Sequence, residues 1–485
     1  MRLSYHESFS TRPAMKDNES LRLSVRIKEL VKTDLSHAFY ETLPASVIED
    51  AARDAAKTKQ HRERVFTPAN TVFTMLLGAV QEDKSLQNGL NLFKNVFEAR
   101  GRDALREEEA RLAAEKANAA PLPKKAGRPK TYKPRLPKSM QKPVSSNTAA
   151  YSKARTGLDM RVAHAVFAHS AEFGPLEKES WHGMATHITD GTFLQLQDTP
   201  DIKRHYVVKG QENSYPQALL QVMIRQGAGQ VKRFAIGSRQ ESELALVLPM
   251  IACLKEGDLL LGDDLYNSYY HFSQVLARNA HLIVPGKRDR NFTVLDGTDP
   301  NDQTVELART NRPDYVEKKD WQLTPKTLQL RRITYTYPTK NGMEEAVLYT
   351  TLLDRTITAA EIVLKYTHRW DIEISIREVK TLMDIGVLRS KSAEMARKEV
   401  HIALTAYNLV RKLIAQSADS GGFSPQESVF QKCVAFGRPV LLDKKGRVFF
   451  KWSPGRNGHA SETNKKTSDS ASKREAKTLS QENKN

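Results

Sequence analysis

Three acidic residues that lie far apart in the chain occupy positions suited to metal-dependent chemistry. Asp190 ends an apolar strand pattern and precedes Gly191, Asp263 follows three leucines and a glycine, and Glu373 lies in a long helical pattern. Each has an ordinary structural explanation when it is taken alone, because a strand-end Asp often caps a turn and a helical Glu is usually solvated. Together, two strand ends and a helix packed against them would bring three carboxylates into one cluster.

The helical segment around Glu373 carries a narrow polar stripe. Tyr366, Arg369, Glu373 and Lys380 are separated by three, four and seven residues. At about 100° per residue, the four side chains fall within an arc of roughly 60°. Apolar residues border the stripe on both sides: Trp370 and Ile374 on one, Ile372, Ile376 and Val379 on the other. The pattern predicts a polar pocket in an apolar surround; a structural ion-pair network on an amphipathic helix is the alternative.

Phosphodiester chemistry would use these residue types together. Attack at phosphorus requires an activated nucleophilic oxygen and a stabilised leaving oxygen, and two hard cations about 4 Å apart provide both. Mg²⁺ prefers oxygen ligands, so carboxylates and the substrate phosphate complete its coordination shell. Arg, Lys and Tyr can bind phosphate oxygens beside such ions. The sequence contains no His-x-x-x-His motif and no cysteine cluster that would favour a transition metal.

The composition favours a polyanionic partner. The chain has 485 residues, and 75 Lys and Arg against 57 Asp and Glu give a net charge of +18. Neutralising phosphates releases counterions, so this balance favours nucleic acid. Two cysteines exclude a disulfide scaffold. The apolar runs are too short to span a bilayer and the N-terminus does not resemble a signal peptide, so we expect a cytoplasmic protein.

The first third of the chain divides into helices and a basic linker. Residues 21–100 show helical periodicity, with a helix start predicted at Thr67-Pro68. Residues 121–155 hold ten basic residues, six prolines and no acid, which predicts an extended linker. Arg128 and Lys130 lie there in a segment that resembles an AT-hook, which enters the minor groove. A solvated arm that contacts phosphates is the alternative.

From residue 186 onward, strand and helix patterns alternate. Strands are predicted at 187–197, 218–225, 231–236, 258–262 and 281–285, and helices follow the third and fourth, which gives a mixed α/β sheet. Residues 286–357 read as a β-rich insertion with a hairpin turn at Asn341-Gly342. Helices are predicted at 358–383 and 393–416, and the polar tail after Trp452 is predicted to be disordered.

Three motifs together resemble the signature of DDE transposases of the insertion-sequence-four family. They are Ile188-Thr-Asp-Gly-Thr192, the segment LLLGDDLYNSY at 259–269, and Tyr-x2-Arg-x3-Glu-x6-Lys at 366–380. The similarity extends to 62–91 and 145–155, and in all to about residues 25–415. It implies an α/β fold: a ribonuclease-H-like mixed sheet with a β-rich insertion before the last catalytic helix, plus an N-terminal helical domain.

The resemblance also implies roles for individual residues. Asp190, Asp263 and Glu373 match the catalytic triad that binds two Mg²⁺ ions, which Mn²⁺ can replace. Tyr366, Arg369 and Lys380 match the residues that position the transposon-end strand. The family commonly has Arg where this chain has Asp264; adjacent strand residues face opposite sides, and the register favours Asp263 as the residue facing the site.

Residues of the insertion have two possible roles. Trp321 matches an aromatic residue thought to stack on a flipped base in related transposases, or it is a core residue of the insertion. Arg331, Arg332 and Lys340 either contact DNA there or are solvated.

These patterns predict a transposase that binds the terminal inverted repeats of its own insertion sequence. It would cut the ends and join the freed 3′-OH to target DNA by cut and paste, as a homodimer in the DNA complex, in the bacterial cytoplasm and at the nucleoid when DNA-bound. The predicted domains are a DNA-binding domain at 1–120, the linker at 121–155, the core at 156–420 and an extension at 421–485. A nuclease of the same fold that cuts without joining, and a DNA-binding regulator without catalysis, are the alternatives.

Overall fold

The structure is a computed structural model that describes most of the chain between residues 35 and 421. The described ranges are 35–55, 65–81, 83–118, 143–172, 180–206, 214–286, 290–296, 298–339, 342–381, 383–421, 441–442 and 448–449. Arg128, Lys130 and the tail after Trp452 therefore lie outside the described residues.

A nine-stranded mixed sheet forms the centre of the molecule, in the order β3-β2-β1-β4-β5-β9-β8-β7-β6. Its strands are β1 (Thr186–Gln195), β2 (Gln217–Arg225), β3 (Val231–Ser238), β4 (Leu259–Leu261), β5 (His281–Gly286), β6 (Thr293–Asp296), β7 (Asp302–Ala308), β8 (Thr327–Thr339) and β9 (Gly342–Thr350). Strands β1, β2 and β3 pair antiparallel, whereas β4 runs parallel to both β1 and β5. All five strands predicted before residue 286 are confirmed.

Helices precede the sheet, connect its strands and follow it. They are α1 (Leu35–Thr42), α2 (Ala45–Ala55), α3 (Pro68–Ala79), α4 (Leu86–Asn118), α5 (Ala149–Gly157), α6 (Met160–Ser170), α7 (Pro200–Tyr206), α8 (Glu243–Leu246), α9 (Leu248–Ile251), α10 (Tyr269–Leu276), α11 (Lys318–Leu323), α12 (Ala359–Thr367), α13 (Asp371–Thr381) and α14 (Ala393–Gly421). Short 3₁₀ turns at Asp264–Tyr266 and His368–Trp370 follow β4 and α12. Among the described helices, none is both long and apolar enough to cross a bilayer.

Helix α3 begins where the sequence predicts. The Thr67 side chain accepts the N–H of Asn70 at 3.1 Å, and Pro68 occupies the first helical position, where its missing N–H costs nothing. Helix α5, in contrast, occupies the end of the predicted extended linker, so the extended conformation is wrong for residues 149–155. That stretch contains none of the six prolines that argue against a helix.

The N-terminal helices share one hydrophobic core with the sheet and α14. Phe39, Leu76, Val166, Ile188 and Leu404, from α1, α3, α6, β1 and α14, are fully buried in the same cluster. The predicted division into domains at 120 and 155 stays a prediction. The first helices nevertheless pack directly against the part of the molecule that carries the sheet.

The β-rich insertion extends the central sheet. Strand β9 pairs antiparallel with β5, and β8, β7 and β6 follow outward from it. Arg331 on β8 is buried, where it forms two hydrogen bonds to the Asp302 carboxylate, at 2.7 and 2.6 Å. It also donates to the carbonyls of Asp354 and Ile357 at 3.0 and 2.7 Å. Arg331 is thus a structural anchor, neither solvated nor available to DNA.

Residues near the C-terminus form a small sheet. Strand β10 (Leu441–Leu442) pairs antiparallel with β11 (Val448–Phe449).

Candidate active site

Strand register brings Asp190 and Asp263 to the same level of the sheet. Parallel pairing of β1 with β4 sets Ile188 opposite Leu261, and each aspartate lies two residues further along its chain. Neighbouring strands are about 4.8 Å apart, so the two residues come close together at the end of β4. Asp263 also caps the 3₁₀ turn that follows, because its carboxylate accepts the N–H of Leu265 at 3.0 Å.

The polar stripe of α12 and α13 docks onto both strand motifs. Tyr366 donates its hydroxyl hydrogen to the carbonyl of Gly262 at 3.2 Å, next to Asp263. At the other end, the Lys380 ammonium donates to the Thr192 hydroxyl at 3.1 Å. Glu373 lies between these two contacts. A cavity of about 350 Å³ separates the helix from the strand, lined by Asp190, Gly191, Thr192, Glu373, Ile376, Arg377 and Lys380.

The carboxyl groups at this site influence one another electrostatically. Burial raises the pKa of Asp190; the negative charges of Asp263 and Glu373 add to this, while the Gly191 N–H and Arg369 oppose it. Burial also raises the pKa of Asp263, with a contribution from Asp264. The polypeptide therefore holds several acids together without fully compensating their charge, as expected of a cation-binding site.

Arg369 is the counter-charge that the chain itself supplies. Its guanidinium lies 3.3 Å from the Glu373 carboxylate and 4.4 Å from the centre of the Trp370 ring. Its positive charge also opposes the rise in pKa that burial causes at both Asp190 and Asp263. The Arg369 side chain is 12% exposed and that of Glu373 is 42% exposed, so the acid faces solvent while the cation lies beneath it.

The residues fit a divalent cation, although they do not enclose one in this conformation. Within the described ranges, no three His, Cys, Asp or Glu side chains are close enough to surround an ion directly. The three carboxylates are the hard oxygen donors that Mg²⁺ and Mn²⁺ prefer. Asp190 and Glu373 line the same cavity. Binding would require Glu373 to exchange its contact with Arg369 for the ion.

Of the two adjacent acids after β4, Asp263 is the one that faces the cluster. Asp264 is exposed, whereas Asp263 is partly buried and interacts with Asp190. The register that favoured Asp263 from the sequence agrees with this placement.

The apolar border predicted for the stripe is present on one side only. Ile372 and Val379 are buried and Ile376 packs against the core. Trp370 and Ile374 are 60% and 54% exposed, so the prediction of a second buried border is wrong. Spacing places residues on one face of a helix, but it does not reveal whether another element covers that face.

The helix itself is not continuous. A 3₁₀ turn at His368–Trp370 separates α12 from α13, and Arg369 lies within this turn. A capping box begins α12: Thr358 accepts the Glu361 N–H at 3.3 Å and Glu361 accepts the Thr358 N–H at 2.8 Å. These contacts fix where the stripe begins.

Trp321 of the insertion lies beside two aromatic residues of α10. Its ring centre is 6.3 and 6.1 Å from those of Tyr269 and Tyr270, and the Arg309 guanidinium lies 5.5 Å from it. The side chain is partly buried against the core on that side of the sheet. Its base-stacking role stays a prediction.

Glu243 is a fourth acid beside the triad that the sequence did not single out. It begins α8, and its carboxylate accepts a hydrogen bond of 2.5 Å from the hydroxyl of Tyr266, which is buried. Burial raises the pKa of Glu243, and the negative charges of Asp190 and Asp263 raise it further. In the sequence, Glu241 and Glu243 resemble the exposed acids common at helix starts, so no spacing signal distinguishes either.

Comparisons with known proteins each found similarity to a transposase. The family model described as "Transposase DDE domain" matches residues 181–409, which include all three acids and the polar stripe. The transposase InsG for insertion sequence element IS4 of Escherichia coli strain K12 is 24% identical over 319 residues, covering 64% of this chain and 69% of that protein. The piggyBac transposase in a synaptic complex with hairpin DNA superposes with a TM-score of 0.36 at 10% identity, covering 91% and 88% of the two chains.

Proposed function

Because this chain is a DDE transposase of the IS4 type, an enzyme that cleaves and transfers DNA with metal ions, we propose that it mobilises an insertion sequence by cut and paste. In this proposal it binds the terminal inverted repeats, cleaves the DNA strands at both ends and joins each freed 3′-OH to target DNA. The element and target duplexes are its partners, and it acts on them as a homodimer in the bacterial cytoplasm.

The sheet topology supports a ribonuclease-H-like core. Strands β1 to β3 form an antiparallel meander, and β4 and β5 continue the sheet in parallel from β1, which gives the order β3-β2-β1-β4-β5. The insertion then adds four strands between the second aspartate and the glutamate. In this proposal the core holds the reacting strand, and the insertion widens the surface that faces DNA.

Asp190, Asp263 and Glu373 are the proposed ligands of two Mg²⁺ ions, for which Mn²⁺ can substitute. When bound, such ions activate the attacking oxygen and stabilise the leaving oxygen of an in-line displacement at phosphorus. Lys380 and Tyr366 hold the ends of the carboxylate-bearing helix on the two strand motifs. If Glu373 held a cation, the Arg369 guanidinium that now pairs with it would be available to a DNA phosphate.

The observation that supports this function most directly is that three carboxyl groups distant in the sequence lie near one another: Asp190 and Glu373 line one cavity, and the charge of Asp263 acts on Asp190. Two come from strands in parallel register, and the third comes from a helix fixed to both strands. An acidic cluster with Arg369, Arg377 and Lys380 around it, in a chain of net charge +18, fits a site that binds cations and then a polyanion.

Substituting Glu373→Gln tests the assignment, since it removes the charge and keeps the shape. We expect strand cleavage of end-containing DNA with Mg²⁺ to fall more than about 100-fold, because even outer-sphere partners of a metal site are worth about 10- to 100-fold. Cleavage is measured on denaturing gels. Glu256→Gln, an exposed position after α9, is the matched control and should cleave at the wild-type rate.

Unchanged cleavage by Glu373→Gln would show that the triad is assigned wrongly. The same gels separate the proposed function from its alternatives. Products in which an end is joined to a second duplex identify a transposase, whereas cleavage without joining identifies a nuclease. Retained binding without cleavage by the wild-type protein identifies a DNA-binding regulator.

A further inference from the structure

The hydrogen bonds of Glu243 fix its carboxylate beside the proposed metal site. Its Oε1 accepts the hydroxyl hydrogen of Tyr266, which lies three residues beyond Asp263. That hydroxyl in turn accepts a hydrogen bond of 2.6 Å from the buried amide of Gln221 on β2, and the same amide donates to the Thr189 hydroxyl on β1 at 2.9 Å. The position of Glu243 is therefore set by a buried network that joins β1, β2 and the turn after β4.

Gly191 allows Glu243 to approach Asp190. A Cβ atom at Gly191 would lie 2.6 Å from the Glu243 carboxyl carbon and 2.8 Å from each of its oxygens. The Gly191 N–H is shared, since Asp190 accepts it at 2.8 Å and Glu243 also receives it. Two carboxylates thus meet at one N–H group, and only glycine leaves room for the second.

Within the described part of the chain, no ion pair compensates the charge of Glu243. Among the residues that the structure describes, neither Glu243 nor Asp190 forms an ion pair with Lys or Arg, while Glu373 pairs with Arg369. A half-buried carboxylate next to two other acids costs free energy unless something positive binds there. Its hydroxyl and amide partners orient the acid without neutralising it, as partners of metal ligands do.

We propose that Glu243 is a fourth carboxylate ligand of the divalent cations that the triad binds, and that Tyr266 is the positioning residue that aims it. The inference rests on the proposed function and adds to it. Glu243 and Glu373 reach Asp190 from different elements, α8 and α13, so Asp190 is shared between them. Two ions need more oxygen donors than three carboxylates provide, and Glu243 supplies one of them.

Mn²⁺ binding to the full-length protein without DNA is the direct test, measured by the loss of the free-ion signal in electron paramagnetic resonance. Glu243→Gln should weaken Mn²⁺ binding by about tenfold or more, as for changes close to a metal site. The amide can still accept the Tyr266 hydrogen bond, so thermal stability without cation should stay the same or rise. Wild-type Mn²⁺ affinity in Glu243→Gln would overturn the proposal.

Two further variants separate a ligand from a structural residue. Gly191→Ala keeps every charge but pushes the Glu243 carboxylate away from Asp190, and it should also weaken Mn²⁺ binding. Glu256→Gln should bind Mn²⁺ like the wild type. A lower melting temperature in Glu243→Gln with unchanged Mn²⁺ affinity would identify a structural role and contradict the proposal.

Mn²⁺ binding by an Asp190→Asn variant distinguishes failure of this inference from failure of the proposed function. Loss of Mn²⁺ binding in Asp190→Asn, but not in Glu243→Gln, would overturn only the role of Glu243. Wild-type Mn²⁺ binding in both variants, together with cleavage by Glu373→Gln, would overturn the proposed site itself.

Discussion

At the scale of single residues, the site depends on the balance between its acids and the cations beside them. Arg369 opposes the rise in the pKa of both Asp190 and Asp263, and it is paired with Glu373. Burial and the repulsion between neighbouring acids together raise the pKa of Asp190, Asp263 and Glu243. A cation that replaces Arg369 at Glu373 would relieve that repulsion and free the guanidinium for phosphate, so metal binding and DNA binding would support each other.

His271 gives the fold a pH dependence that is independent of the acids. It is buried on α10, its Nε2 lies 3.0 Å from the Leu244 carbonyl on α8, and burial lowers the pKa of its imidazole to about 4. The pKa of His271 in the folded protein lies below its value in the unfolded chain, about 6.5, so the neutral imidazole contributes fully to folding stability above pH 6.5. This contribution to the free energy of unfolding is lost as the pH falls from about 6.5 towards 4.

Substituting His271→Gln should therefore flatten the acid side of the stability profile. The amide keeps a donor for the Leu244 carbonyl but does not titrate, so the melting temperature should fall less between pH 6.5 and 4 than in the wild type. The difference corresponds to at most roughly 3 kcal/mol, at about 1.4 kcal/mol per pKa unit. Parallel profiles for the two proteins, measured by differential scanning fluorimetry, would contradict this account.

At the scale of elements, the buried cation Arg331 links the strands of the insertion to the segment that leads into α12. Arg331 joins Asp302 on β7 to the carbonyls of Asp354 and Ile357, which lead into α12. Arg355 pairs with the same Asp302 carboxylate. Because Ile357 directly precedes Thr358, the N-cap of α12, this contact fixes the start of the helix that leads to the polar stripe.

Asp302→Asn removes the counter-charge of a guanidinium that remains buried. Breaking a buried pair from one side costs about 3–5 kcal/mol, and we expect a loss of unfolding free energy in this range. Urea unfolding followed by tryptophan fluorescence measures it. Asp296→Asn, at an exposed position on β6, is the control and should leave the unfolding curve unchanged. Equal stability of the two variants would show that Arg331 does not anchor the insertion.

At the scale of the whole molecule, the net charge of +18 predicts DNA binding with a steep dependence on salt. The basic segment 121–155 contributes ten of the positive charges without any acid. If Arg128 and Lys130 contact phosphates, replacing both with alanine should reduce the slope of log Kobs against log salt concentration by about two, roughly one for each contact. Fluorescence anisotropy with a labelled terminal-repeat duplex measures the slope.

The same titration with a random duplex examines recognition of the ends. Tighter binding to the terminal repeat than to random DNA is expected. An unchanged slope in the double variant would exclude phosphate contacts by Arg128 and Lys130.

The sequence by itself determined the α/β alternation and the β-rich insertion, and it singled out the three acids that are proposed as metal ligands. Strand and helix periodicities are local properties, and the Tyr-Arg-Glu-Lys spacing lies within one helical segment, so both can be read without tertiary information. The family similarity also follows from these short motifs. The preference for Asp263 over Asp264 came from the register of the strand and the Gly-Asp-x-x-Tyr segment that follows it, which is also a local pattern.

Only the tertiary structure decided which elements meet. It showed the insertion extending the central sheet, Trp370 and Ile374 exposed, Arg331 buried and Glu243 beside Asp190. These outcomes depend on contacts between residues far apart in the chain. In the sequence, Glu243 resembles any exposed acid at the start of a helix. What distinguishes it is its contact with Gly191 on β1, and the residues next to Glu243 in the sequence do not reveal that contact.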